Sequence, residues 1–194
     1  MAFRIESERL YIRPWEHADR PALTRFVNDP DMMRYISFGR VWDEERIDAL
    51  LARQAGFLRD CSCCVGTVVL KQTGQVVGVG GIQPQDKSKF YEFAWWIWKD
   101  YWNRGFATEI ARAMVRHAFE VMRLPKVIAI ADVPNRACAT PMTWPSATRK
   151  WKWCSTCWTT RQPESYRFGW PLKNLQITSV ASTLGLGLSS IFKI

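Results

Sequence analysis

Gly105 and Ala107 stand two residues apart in YWNRGFATE, where an amphipathic pattern begins. Ile110, Ala113, Met114, Ala118, Phe119, Val121 and Met122 then recur on one face, which is helical spacing. The first-turn amides of a helix lack internal partners and carry partial positive charge, so such a terminus binds phosphate or pyrophosphate. Small side chains at Gly105 and Ala107 leave room for incoming oxygens, and Arg104 adds a cation. A glycine used only to turn the chain fits the spacing equally well, because a single G-x-A is a weak motif.

Other chemistry-bearing residues are sparser. His117 lies on the same helix among Arg112, Arg116 and Phe119 and reads as a packing or surface histidine. The six cysteines are Cys61, Cys63, Cys64, Cys138, Cys154 and Cys157. CSTC at 154–157 is one C-x-x-C, and CSCC at 61–64 could supply partners. Cys61 and Cys64 have the same spacing, but neither histidine lies near either cluster and the four regularly spaced ligands of a structural site are not evident, so zinc is not expected. GVGGI at 78–82 is not a dinucleotide fingerprint, because no helix follows it.

The elements that must position these residues follow from periodicity. ERLYIRPW (8–15) alternates as a first strand, and 16–29 places Ala22, Leu23, Phe26 and Val27 on one face of a short helix. Residues 29–36 read as a turn or short helix. Residues 42–60 form a stronger helix, with Asp43, Glu44 and Glu45 crowding its first turn, where the dipole favours acids. A hairpin is expected over 64–84, turning at Thr73-Gly74, with Gly78, Gly80 and Gly81 marking a bulge or close backbone approach. FYEFAWWIWK (90–99) is an aromatic strand, and KVIAIAD (126–132) a buried one. A strand, the Gly105 helix and a buried strand make a right-handed β-α-β unit with a parallel pair. The order β-α-α-β-β-β-α-β predicts an α/β fold on a mixed sheet.

The chain of 194 residues is long enough for one well-cored domain. It has no apolar run long enough for a transmembrane helix and no secretory h-region at its start, so no membrane association is expected, and a cytoplasmic protein with free thiols is. The net charge of +9 is uneven: residues 1–137 carry twenty basic and seventeen acidic residues, residues 138–194 seven and one. Beyond Ala137 neither period holds for long, and Trp144, Trp151, Trp153, Trp158 and Trp170 are scattered among Ser, Thr and Pro. The expected division is therefore a core at 1–137 and an atypical basic segment at 138–194, packed on the core or a tail.

SERLYIRPWEHAD (7–19), GQVVGVGGIQP (74–84), the stretch from Tyr91 through the Gly105 loop, and PNRA (134–137) occur in series. Over about residues 5–137 the chain resembles the GNAT family of acetyl-CoA-dependent N-acetyltransferases, and most of all its RimJ/RimL-like branch. The resemblance implies a mostly antiparallel sheet with a splayed parallel pair and flanking helices. It also implies acetyl-CoA as cosubstrate and an amine acceptor, either a small molecule or a protein N-terminus. At the loop the family pattern Gln/Arg-x-x-Gly-x-Gly/Ala reads Trp102-Asn103-Arg104-Gly105-Phe106-Ala107, departing at Trp102.

By that resemblance, amides from Asn103, Arg104, Gly105, Phe106, Ala107 and Thr108 hold the pyrophosphate. Backbone groups of Trp96, Ile97 and Trp98 meet the pantetheine arm, and Asn135 contacts the cofactor past the second strand. Glu92 is the candidate general base, with an exposed or ion-paired strand glutamate as the plain alternative. Cys138 stands where relatives carry serine and is the candidate proton donor to the departing thiol. The family's next helix, ending E-K-x-G, is absent here, which reads as a shifted reading frame near position 138 or a divergent terminus. Two other functions compete: a CoA-binding protein with impaired catalysis, and a nucleic-acid-associated protein using the basic, Trp-rich segment. The acceptor and the oligomeric state stay open, a homodimer included.

Overall fold

The structure is a computed structural model. It describes residues 3–85, 90–125, 127–132, 156–157 and 165–169. Asn135 and Cys138 lie outside the described residues, as does most of the 138–194 segment.

Among the described residues, eight strands form one sheet in the order β1-β2-β3-β4-β5-β6-β8-β7. They are β1 (Ile5–Glu6), β2 (Leu10–Arg13), β3 (Val65–Leu70), β4 (Val76–Pro84), β5 (Tyr91–Ile97), β6 (Val127–Asp132), β7 (Thr156–Cys157) and β8 (Ser165–Gly169). Every neighbouring pair is antiparallel except β5 and β6, which run parallel. That exception follows from the connection. A helix separates β5 from β6, and a parallel pair needs such a crossover.

The helices are α1 (Arg20–Val27), α2 (Pro30–Met33), α3 (Glu44–Cys61) and α4 (Phe106–Arg116), the last widening into a π turn at His117–Val121. Asp29 and Asp43 cap α2 and α3 through their side chains, accepting from Asp31 and Met32 N–H and from Arg46 N–H. The helix α3 ends where Ser62 turns left-handed at φ 54°.

Alternation along the strands builds two cores, one on each face of the sheet. On one face Val68, Val77, Phe93 and Ile97 pack with Phe106, Ile110 and Met114 of α4. On the other, Val65, Val79, Ala94 and Trp96 pack with Leu23, Phe26, Met33, Ile47 and Leu50 of α1, α2 and α3. Phe26 stacks on two indoles of this second face, at 5.2 Å from Trp96 and 4.6 Å from Trp98.

The hairpin glycines are used for close approach. A Cβ on Gly81 would lie 2.1 Å from the Cys64 carbonyl oxygen, and one on Gly78 would lie 2.4 Å from that of Trp96. The ladder between β3 and β4 also shifts register between Val68 and Val69. A buried polar tie joins the second core to the sheet. Gln54 of α3 donates to Gln83 Oε1 at 2.8 Å and accepts from the Val65 N–H at 2.8 Å.

Candidate active site

The parallel ladder between β5 and β6 is short. It pairs Tyr91 with Val127, Glu92 with Ile128 and Phe93 with Ala129, and then stops. Beyond that point β5 runs on to Ile97 along β4, while Ile130–Asp132 of β6 pair with β8. Two strands that were hydrogen-bonded therefore part, and a gap opens between them toward the end of β5.

Which backbone groups face the gap follows from period two. Trp98 N–H donates to Val77 O of β4 at 2.9 Å. Alternation turns Trp96 the same way, toward β4, and turns Trp95 and Ile97 the opposite way, toward β6. The Ile97 carbonyl is already occupied: it accepts from Trp102 Nε1 at 2.7 Å. The Trp98 carbonyl accepts from Tyr101 N–H at 2.9 Å. Of the three residues expected to offer backbone groups, only Ile97 presents one to the gap, its N–H. Trp95, passed over in the sequence, presents both its N–H and its carbonyl.

At the end of β5 the chain makes one tight turn over Lys99–Tyr101, passes through two left-handed residues, Asn103 (φ 60°) and Gly105 (φ 76°), and enters α4. Glycine takes such a conformation without the Cβ penalty that other residues carry. No side chain caps α4 at Gly105. The amides at the head of this helix are thus left for another acceptor. Among the described residues, only the Arg9 side chain comes within 4 Å of where a Cβ on Gly105 would lie, at 3.6 Å. An uncapped helix start beside an open strand edge fits an anionic diphosphate joined to an amide-bearing arm. The Arg104 guanidinium lies 5.3 Å from the centre of the Tyr101 ring, within this loop.

Glu92 is buried, at 7% exposed. It pairs in register with Gln83 of β4, and alternation puts it on the face of Ala94 and Trp96, beneath α1–α3 and away from α4. His117 is on the α4 side. It meets Phe3 edge-on at 6.0 Å, and burial pushes its imidazole below the ordinary histidine range. Packing was one of the two roles, packing or surface, that the sequence pattern indicated. Cys63 and Cys64 are buried thiols, each pushed up to about 12 by burial. Nothing among the described residues gathers three metal-ligating side chains.

A family profile described as "Acetyltransferase (GNAT) domain" matches residues 9–143, more than two thirds of the chain. The chain belongs to the GNAT acetyltransferase family. It is 30% identical over 140 residues to an uncharacterized N-acetyltransferase, YnaD, of Bacillus subtilis, covering 68% of this chain and 74% of that one. Its fold is similar to that of a GNAT-family acetyltransferase from Bacillus anthracis, with TM-score 0.63 and 24% identity over 86% of this chain and 97% of that chain. It is also similar in fold to RimL, a ribosomal L7/L12 alpha-N-protein acetyltransferase in complex with coenzyme A, with TM-score 0.68 and 12% identity over 86% and 97%.

The chain is thus a GNAT-type N-acetyltransferase that uses acetyl-CoA. Its sheet has the expected architecture, with antiparallel strands, one splayed parallel pair and helices on both faces. No described helix is long and apolar enough to cross a membrane.

Proposed function

We propose that this GNAT acetyltransferase transfers acetyl to a primary amine by direct attack, with a protein N-terminal amine as the acceptor. The parting of β5 from β6 beside the uncapped start of α4 carries the reading. When bound, acetyl-CoA supplies the activated acetyl thioester. Amides of Asn103–Thr108 hold its pyrophosphate, and the gap-facing groups of Trp95 and Ile97 align its amide-bearing arm as an added strand would be aligned. By the family resemblance Asn135 would also contact the arm.

Glu92 accepts the proton of the incoming ammonium, directly or through one water, so that a neutral amine attacks. Cys138 returns a proton to the departing sulfur. Holding both reactants in one slot supplies much of the rate, as proximity does for any bimolecular step. The RimL neighbour's action on a ribosomal protein N-terminus supports the choice of acceptor.

Thiol release from acetyl-CoA tests the reading, with short peptides bearing free N-termini set against spermidine and free lysine. Release that depends on the peptide, with an acetyl group found on its N-terminal amine, is the expected result. Turnover confined to spermidine or lysine would move the acceptor elsewhere. Binding of acetyl-CoA without turnover on any amine would leave a cofactor-binding protein only.

A further inference from the structure

The turn between β1 and β2 holds no residue assigned to the reaction, yet it grips the loop that starts α4. Ser7 Oγ and Arg9 N–H both donate to Glu109 Oε1, each at 2.7 Å. Arg9 Nε donates to Glu109 Oε2 at 2.7 Å. The same guanidinium reaches further, with Nη2 donating to the Arg104 carbonyl at 3.1 Å and its plane lying over Phe106, 4.6 Å from the ring centre. Glu109 is the sheltered partner, with a side chain 15% exposed against 46% for Arg9. Burial alone would raise the Glu109 carboxyl. The donors from Arg9 and Ser7 outweigh burial and hold it below the usual range.

The Arg104 carbonyl is the point that matters. It shares a planar peptide unit with the Gly105 N–H, and in a trans peptide the two point in opposite directions. A donor fixed on the Arg104 oxygen therefore fixes where the Gly105 N–H points. No capping side chain sets the path of this loop. The loop's own Trp102 bonds Ile97 at one end, and Arg9, from the β1–β2 turn, bonds Arg104 at the other. Glu109, in the first turn of α4, ties Arg9 to the helix whose amides are being aimed.

We infer that Arg9, held by Glu109, is a positioning residue that aims the Gly105 and first-turn amides of α4 at the cofactor's pyrophosphate. It sets affinity for the diphosphate half of acetyl-CoA while remaining remote from the acetyl end. The inference rests on the proposed pyrophosphate role of the loop.

Two ligands separate these statements: CoA, which carries the diphosphate, and S-acetylpantetheine, which lacks it. In the full chain, Arg9→Ala is expected to raise the Kd for CoA, measured by titration calorimetry, about tenfold, the equivalent of about 1.4 kcal/mol. The loss in kcat/KM with S-acetylpantetheine should be several times smaller than that with acetyl-CoA. Glu109→Gln keeps the size of the group and releases Arg9, and should shift the CoA Kd in the same direction. Arg9→Lys, with one compact donor in place of a fork, should recover only part of the loss.

Unchanged CoA affinity in both Arg9→Ala and Glu109→Gln would overturn the inference. So would equal losses for the two ligands, which mark a general fold defect. If the unaltered chain shows no preference for CoA over the pantetheine ligand, the loop is not a pyrophosphate site and the inference falls with it.

Discussion

Glu92 sits at the meeting of three strands, paired in register with Gln83 on one side and Ile128 on the other. It lies one residue before the last rung of the parallel ladder, so its Cα is close to where the gap begins. Gln is its near-isostere and removes the carboxylate's charge together with its ability to take a proton. Glu92→Gln is expected to lower kcat about hundredfold near neutral pH, the lower range for loss of a general base, with the CoA Kd unmoved. The loss should shrink as pH rises and more of the amine arrives deprotonated. Steady-state rates across the neutral to alkaline range for both proteins check this, and a loss under about threefold at every pH would remove Glu92 from the role. The charge itself was visible in YEF, but its burial was not, because burial depends on which helices cover each face of the sheet.

At the scale of elements, the hairpin β3–β4 shows how much could be read directly. Thr73-Gly74 marked the turn, and Gly74 does adopt a left-handed φ of 71°. Gly78 and Gly81 marked close backbone approach, and the Gly81 Cβ position overlaps the Cys64 carbonyl. Gly81→Ala therefore has to push β3 and β4 apart at the Cys64–Val65 backbone, which no side-chain rotation can relieve. A cost of roughly 1–3 kcal/mol is expected, typical of overpacking, and chemical denaturation of the two proteins measures it. A loss under about 0.5 kcal/mol, the range of ordinary surface changes, would mean the hairpin yields more readily than its contacts imply.

The helix α4 and its loop were legible for the same reason as the hairpin: their signals are local. The short β1 was not, since Ile5–Glu6 has too few residues to show alternation. The Arg9–Glu109 clasp was hidden too, because it joins residues one hundred positions apart and depends on β1–β2 lying against α4. The assignment of Trp96 rather than Trp95 to the gap was a matter of backbone parity. Side-chain pattern shows which face a residue is on and leaves open which edge its N–H addresses.

For the whole molecule, buried and clasped ionisable groups set limits at both ends of the pH scale. Glu109 and Asp29 are held below the ordinary carboxyl range in the folded state. For Glu109 burial is opposed and outweighed by donors from Arg9 and Ser7, and for Asp29 the leading cause is Lys99. A depressed folded pKa gives stability that is complete above the unfolded value and is lost as pH falls through the folded one. The acid limb should therefore fall below about pH 4.3, the ordinary glutamate value.

The alkaline limb has a different origin. Cys63 and Cys64 flank the start of β3 in the core, and burial pushes both thiols from 9.0 to about 12. Here the folded state binds the proton more tightly than the unfolded chain. Stability is complete below the unfolded pKa and drains away as pH rises toward the folded one. Each thiol removes roughly 1 kcal/mol between about pH 9 and 10, so the pair removes on the order of 2 kcal/mol over that interval. Urea midpoints measured from about pH 7 to 10.5 under reducing conditions should fall steeply above about pH 9. The Cys63→Ala, Cys64→Ala double variant should start from a lower stability, having lost two buried sulfurs, and yet show a flatter alkaline limb. Parallel alkaline limbs in the two proteins would show that the thiols do not govern the loss.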